Sequence, residues 1–161
     1  MNLPEGWRRL TEEDLPVLLR FCMDNLDYFS YIKSTPQLES LQRELTVLPP
    51  NTTLEQKFFM GLWEANALVA IVDLVMDWPR EKVVYVGWFM VSYKLQHQGL
   101  GSRIEKQLSN WLKANGFSGL RLACVEENLP GLCFWQKCGF QFTGQRVEQA
   151  QYSVLLMEKI L

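Results

Sequence analysis

The first periodic stretch of apolar residues is Leu15, Leu18, Leu19 and Cys22, which lie at helical spacing. Thr11 precedes it as a suitable N-cap, and Glu12, Glu13 and Asp14 place acids in the first turn, where the helix dipole favours them. Trp7–Leu10 reads as a short strand before that helix. A second helix is expected over Gln37–Leu48, stopped by Pro49-Pro50 because proline has no N–H to donate.

From Lys57 the rhythm changes to strands. Lys57–Glu64, Ala67–Met76 and Lys82–Val91 are separated by the short turns Glu64-Ala65-Asn66 and Asp77-Trp78-Pro79-Arg80-Glu81. Connections this tight predict an antiparallel meander. The third of these strands is almost unbroken in its apolar character, which predicts a central strand covered on both faces. Gly87 inside it suggests a bulge or a close backbone approach.

Gly99–Asn115 is the clearest helix. Leu100, Ile104, Leu108, Trp111 and Leu112 form one stripe, with Arg103, Lys106 and Lys113 largely elsewhere, and Asn115-Gly116 ends it. Leu120–Val125 is then a strand, Leu129–Cys138 a short helix ended by Gly139, and Phe140–Thr143 and Gln151–Ile160 two closing strands. The result is an α/β chain, a mixed sheet flanked by helices. With 161 residues and no repeat or linker, residues 1–161 are expected to form one domain.

Charge and composition narrow the function. A net charge of −2 with no lysine or arginine run argues against a nucleic-acid partner. No apolar run approaches the ~18 residues of a membrane helix, and Met1–Arg9 has no apolar leader segment, so a cytoplasmic protein without a membrane partner is expected. The four cysteines, Cys22, Cys124, Cys133 and Cys138, contain no C-x-x-C, and the chain has one histidine, so no metal site is expected.

The candidate chemistry lies between the apolar third strand and the long helix: Gln96-His97-Gln98-Gly99-Leu100-Gly101-Ser102. The first turn of a helix has N–H groups without partners, and the dipole adds positive charge there. Gly99 and Gly101 remove side chains where an anion would approach the backbone. This is a cradle for a diphosphate that needs no metal and no basic side chain. By itself the segment reads equally as a plain strand-to-helix turn, and its spacing fits neither G-x-x-x-x-G-K-[ST] nor G-x-G-x-x-G.

Gln96-His97-Gln98-Gly99-Leu100-Gly101 resembles the Gln/Arg-x-x-Gly-x-Gly/Ala signature of the GNAT N-acyltransferase superfamily. A second segment, Asn128 through Phe140, resembles that family's Asn-containing loop, short helix and Gly-Phe ending. The two stand in the right order and separation, and the order of elements matches over nearly the whole chain. The resemblance implies a mixed, largely antiparallel seven-stranded sheet with about four helices. It implies acetyl-CoA as co-substrate, a small-molecule or peptide amine as acceptor, and a homodimer. It also implies that the backbone of Phe89, Met90 and Val91 pairs with the pantetheine arm, that His97 to Ser102 wrap the pyrophosphate, and that Asn128 bonds the arm. The fourth and fifth strands are expected to splay, with the thioester in the gap.

His97 is then expected to act through its N–H, its ring being a solvated loop side chain. Glu126 and Glu127, after the fifth strand, are the candidate general bases, although two such residues also read as an ordinary charged loop. Asp73 and Asp77 are weaker candidates, and Tyr85, Trp88 and Trp78 are read as core or as part of an acceptor pocket. Trp135 stands where many family members carry a proton-donating tyrosine, and an indole N–H is no practical acid. Solvent, Tyr93, Tyr152 or Cys138 would then supply that proton. Direct attack of the amine is favoured, since neither Cys124 nor Cys138 is marked as an activated nucleophile. The alternative is a non-catalytic acyl-CoA-binding module on the same scaffold.

Overall fold

The structure, a computed structural model, describes Met1–Leu161. Its strands are β1 (Trp7–Arg9), β2 (Lys57–Glu64), β3 (Ala67–Val75), β4 (Val83–Val91), β5 (Gly119–Val125), β6 (Gln141–Glu148) and β7 (Ser153–Ile160). They form one seven-stranded sheet in the order β1-β2-β3-β4-β5-β7-β6. Every neighbouring pair is antiparallel except β4 and β5, which are parallel. The parallel pair needs a crossover, and the long amphipathic helix supplies it. The α-helices are α1 (Leu15–Met23), α2 (Leu26–Tyr31), α3 (Leu38–Glu44), α4 (Leu100–Ala114) and α5 (Leu129–Lys137). No helix is long and apolar enough to cross a membrane.

The sheet has a core on each face. Val72, Leu74, Val84 and Val86 pack with Ile104, Leu108 and Leu112 of α4 and with Leu132 of α5. On the other face Ile71, Phe59, Trp88 and Met90 pack with Leu18, Phe21 and Cys22 of α1, Phe29 of α2 and Leu41 of α3. Alternation along β3 divides its side chains between the two. Leu112 is fully buried, so its truncation to alanine would cost about 2–5 kcal/mol.

The expected bulge is present. In the β3–β4 ladder Asp73 stands opposite Trp88 while Leu74 stands opposite Val86, so Gly87 is the extra residue. The bulge turns Trp88 to the α1–α3 face although Val86 lies on the other.

Several details differ from the sequence reading. The helix expected over Gln37–Leu48 ends at Glu44, and the last strand begins at Ser153 rather than Gln151. Thr11 caps a single 3-10 turn, Glu12–Asp14, which leads into α1; the buried Asp14 carboxylate accepts from the Thr11 N–H at 2.9 Å and is gripped by Arg8 at 2.7 and 2.8 Å. A fifth helix, α2, lies in a stretch to which the sequence reading assigned no element. The sixth strand runs to Glu148 rather than Thr143.

Candidate active site

The loop between β4 and α4 presents a run of free donors. No backbone N–H from His97 to Ser102 has a hydrogen-bond acceptor within the protein, and α4 has no side-chain N-cap. His97 (φ +59°) and Gly99 (φ +77°) are both left-handed, which folds the loop back on itself ahead of the helix. A Cβ at Gly99 would meet nothing within 4 Å, so the space above the donors is open. At Gly101 a Cβ would fall 3.1 Å from the Phe134 ring, so this glycine lets α4 and α5 approach each other. The two glycines thus do different work, and only Gly99 borders the open cradle. Leu100 is half-buried under the loop, while His97, Gln98 and Ser102 are exposed.

Gln96 holds the loop in place. Its Nε2 donates to the backbone O of Val91 and to Asn25 Oδ1, each at 2.9 Å. Asn25 is only 3% exposed and its own amide donates to Phe21 O at 2.7 Å. Gln96 is therefore a strut between the loop and the end of α1.

β4 leaves β5 halfway along. The parallel register covers Val83–Val86 against Gly119–Leu122 and then stops, while the strands continue to Val91 and Val125. Phe89, Met90 and Val91 therefore have a β-edge with no strand beside it. Met90 and Val91 are buried and Phe89 is half-buried. Phe89 stacks on Phe134 at 5.6 Å, and Trp135 meets Phe89, Phe134 and Phe140 edge-on at 5.2, 4.9 and 5.0 Å. Trp135 is thus a wedge of the hydrophobic core at the start of the splay.

Asn128 is the N-cap of α5. Its Oδ1 accepts from the Gly131 N–H at 2.9 Å, and a Cβ at Gly131 would sit 2.6 Å from Asn128 Nδ2, so glycine there makes room for the cap. Asn128 Nδ2 donates no hydrogen bond within the protein.

The acids expected at the end of β5 both have cations beside them. Glu126 Oε2 accepts from Arg146 Nε at 2.9 Å, and Glu127 pairs with Lys33 at 3.5 Å. Asp77 caps a turn, accepting from the Lys82 N–H at 2.7 Å. Asp73 is buried and paired with Lys57 Nζ at 2.7 Å. Burial pushes the Cys124 thiol up to about 11 and raises Cys138 as well, so neither is an activated thiolate. Tyr93 is exposed on the surface. Tyr152 lies near Tyr28 of α2, whose phenol is raised, chiefly by burial and then by Tyr152.

Sequence reasoning missed Tyr28 and Asn25, both carried near α2, and Glu44 at the end of α3. Tyr28 stacks on Trp88 at 6.0 Å, beside the splay. Nothing in the local pattern marks these positions, because their partners are distant in sequence.

A model of the acetyltransferase (GNAT) family matches residues 20–140. The structure is similar to the PaiA N-acetyltransferase of Thermoplasma acidophilum in complex with coenzyme A, with TM-score 0.70 and 19% identity over 96% of this chain and 98% of that one. It is similar to an acetyltransferase from Thermus thermophilus, with TM-score 0.75 and 20% identity over 96% of both chains. It is also similar to the ribosomal-protein-S18-alanine N-acetyltransferase of Escherichia coli, with TM-score 0.71 and 15% identity over 96% of this chain and 92% of that one. A search of curated proteins finds no match. The seven-stranded sheet parted between its fourth and fifth strands, the open loop at the head of α4 and the family match over most of the sequence agree, and the chain belongs to the GNAT acetyltransferase family.

Proposed function

We propose that this protein transfers an acetyl group from acetyl-CoA to a primary amine by direct attack of the amine on the thioester. The observation that carries the reading is the run of unpartnered N–H groups from His97 to Ser102, open to solvent above Gly99. Donors and a helix N-terminus arranged this way fit a diphosphate. The freed edge of β4 at Phe89, Met90 and Val91 offers main-chain pairing to an extended arm that carries amides. Asn128, at the head of α5, is proposed to bond the same arm through its free Nδ2, and Trp135 packs on Phe89 at that edge. The names of the similar structures, N-acetyltransferases among them, support nitrogen as the acceptor atom.

Acetyl-CoA supplies the activated acyl carbon, and the protein supplies orientation. A nitrogen–carbon bond forms and a carbon–sulfur bond breaks. An acceptor that arrives as an ammonium gives up two protons: one ends on the coenzyme A sulfur and one is released. Glu126 and Glu127, exposed after β5, are the carboxylates proposed to pass the acceptor's proton to water, each exchanging its surface partner, Arg146 or Lys33, to do so. Trp135 has no acidic proton, and a thiolate of pKa ~8.5 leaves without full protonation, so solvent serves as the final acid.

Trp135 also favours a second reading, a module that binds acyl-CoA without turnover. Coenzyme A release across a panel of amines separates the two. Turnover with any amine supports the enzyme, and acetyl-CoA binding with no release supports the module.

A further inference from the structure

A side chain from α2 stands over the gap between β4 and β5. Phe59 of β2, Asp73 of β3 and Trp88 of β4 form one cross-strand row on the α1–α3 face. Trp88 lies past Val86, the last residue of β4 paired with β5, so no strand continues the row beyond it. Its ring stacks on Phe59 at 5.8 Å, on the β2 side. Its other face stacks on Tyr28 at 6.0 Å, with 22° between the planes. The rings run in the order Phe59, Trp88, Tyr28. Tyr28 therefore occupies the side from which β5 has withdrawn.

Its neighbours hold it there. Phe29 is buried and meets Trp88 and Tyr28 edge-on at 6.0 and 5.4 Å. A helix of six residues is too short to be stable alone, so this packing is what orders α2. Asn25, immediately before α2, is tied to Gln96. The phenol itself is uncommitted. Tyr28 is half-buried and makes no hydrogen bond within the protein, and its oxygen is not sealed in as the Trp88 Nε1–H is. Burial raises the phenol, and the nearby Tyr152 and Cys124 add to that shift. Tyr152 precedes β7, and Cys124 lies on β5 beyond Leu122, its last residue paired with β4, which agrees with a phenol turned to the β5 side of the gap. Raised in this way, the phenol keeps its proton at neutral pH and serves as a hydrogen-bond donor.

We propose that Tyr28 is a catalytic residue whose O–H donates a hydrogen bond to the coenzyme A sulfur as the thioester opens in this gap. This rests on the N-acetyltransferase reading and adds a residue to it. When the amine nitrogen bonds to the acyl carbon, the carbon–sulfur bond breaks and its electron pair passes to sulfur. A thiolate accepts a hydrogen bond far better than a thioester sulfur does, so the contact strengthens as the bond breaks and favours departure. Tyr28 keeps its proton throughout, and solvent delivers the one that ends on sulfur.

The test is the ionisation of coenzyme A bound to the protein, followed by the ultraviolet absorbance of the thiolate, and it needs no acceptor. Desulfo-coenzyme A is the blank that subtracts the protein's own thiols. Tyr28→Phe keeps the ring on Trp88 and removes only the donor. The bound thiol is expected to ionise about one pH unit lower on the wild type than on Tyr28→Phe, the scale of a charge-assisted hydrogen bond. Equal ionisation on the two proteins would overturn the assignment. Should Tyr28→Phe not fold, the wild type decides: a bound thiol that ionises below free coenzyme A supports the donor, and one that ionises at the same pH or higher overturns it. Failure of the wild type to bind coenzyme A would overturn the functional reading instead, so the two failures are distinguishable.

Discussion

The side-chain amide of Gln96 donates to Asn25 Oδ1 at 2.9 Å, joining the loop between β4 and α4 to the end of α1. The same nitrogen also donates to Val91 O, so one amide fixes the loop to both a helix and the central strand. Gln96 thus anchors the loop.

Gln96→Ala should therefore destabilise the fold, by about 1–3 kcal/mol, because it strands the buried Asn25 carbonyl. Gln96→Glu should cost more although it is closer in shape. It sets a carboxylate oxygen against two acceptors, Asn25 Oδ1 and Val91 O. Urea unfolding of the three proteins measures the order, and a Glu variant as stable as wild type would contradict the strut.

Glu44 gives a pH-dependent prediction. Burial raises its carboxyl, so the folded state binds that proton more tightly than the unfolded chain does. Its contribution to stability therefore falls as pH rises through the carboxylate range and recovers on acidification. Glu44→Gln should stabilise the protein at neutral pH by about 0.3–1 kcal/mol, the scale of an ill-placed charge at a helix end, and the gain should vanish below pH ~4. Thermal unfolding against pH reads this out. A variant less stable at neutral pH would show that Glu44 has a partner in the fold.

Lys57 and Asp73 are a buried pair, and breaking such a pair costs more than removing it. Lys57→Met should cost about 3–5 kcal/mol by leaving Asp73 alone in the core. Lys57→Met with Asp73→Leu should recover most of that loss. A double-mutant cycle by chemical unfolding tests it. Additive losses would mean that the pair is solvated enough to be independent.

Trp135 is predicted to matter for packing and little for chemistry. Its ring is surrounded by Phe89, Phe134 and Phe140, so Trp135→Ala should cost about 3–5 kcal/mol. Folded Trp135→Phe should keep turnover within about tenfold, below the ~10²–10⁴ range of a lost general acid. A larger fall in maximal turnover with acetyl-CoA affinity intact would give the indole a catalytic part.

Much of this site was legible before folding because its signals are local. The glycine loop opens an amphipathic stripe, Gly87 interrupts an apolar strand, and Asn128 precedes a helix that Gly139 ends. The misses lack a local signal. Leu26–Tyr31 is six residues of mixed apolar and polar character, too short for a period, and it is helical because Phe29 buries itself against the sheet. All eight residues of β6 are exposed, so no alternation marks it, and only its pairing with β7 makes it a strand. The Asp73–Lys57 pair joins two strands. A single residue in an apolar strand, Asp73, was the only hint of that pair.

The central claim is that acyl-CoA binds on the open donors at the head of α4. The most direct measurement is isothermal titration of acetyl-CoA into wild type and into Gly99→Glu, with circular dichroism to confirm that the variant is folded. A side chain at Gly99 meets no protein atom within 4 Å, so the glutamate occupies only the space assigned to the diphosphate. Wild type is predicted to bind, and the variant to bind at least ~100-fold more weakly, through occlusion and like-charge repulsion at the helix N-terminus. Unchanged affinity in folded Gly99→Glu would contradict the claim.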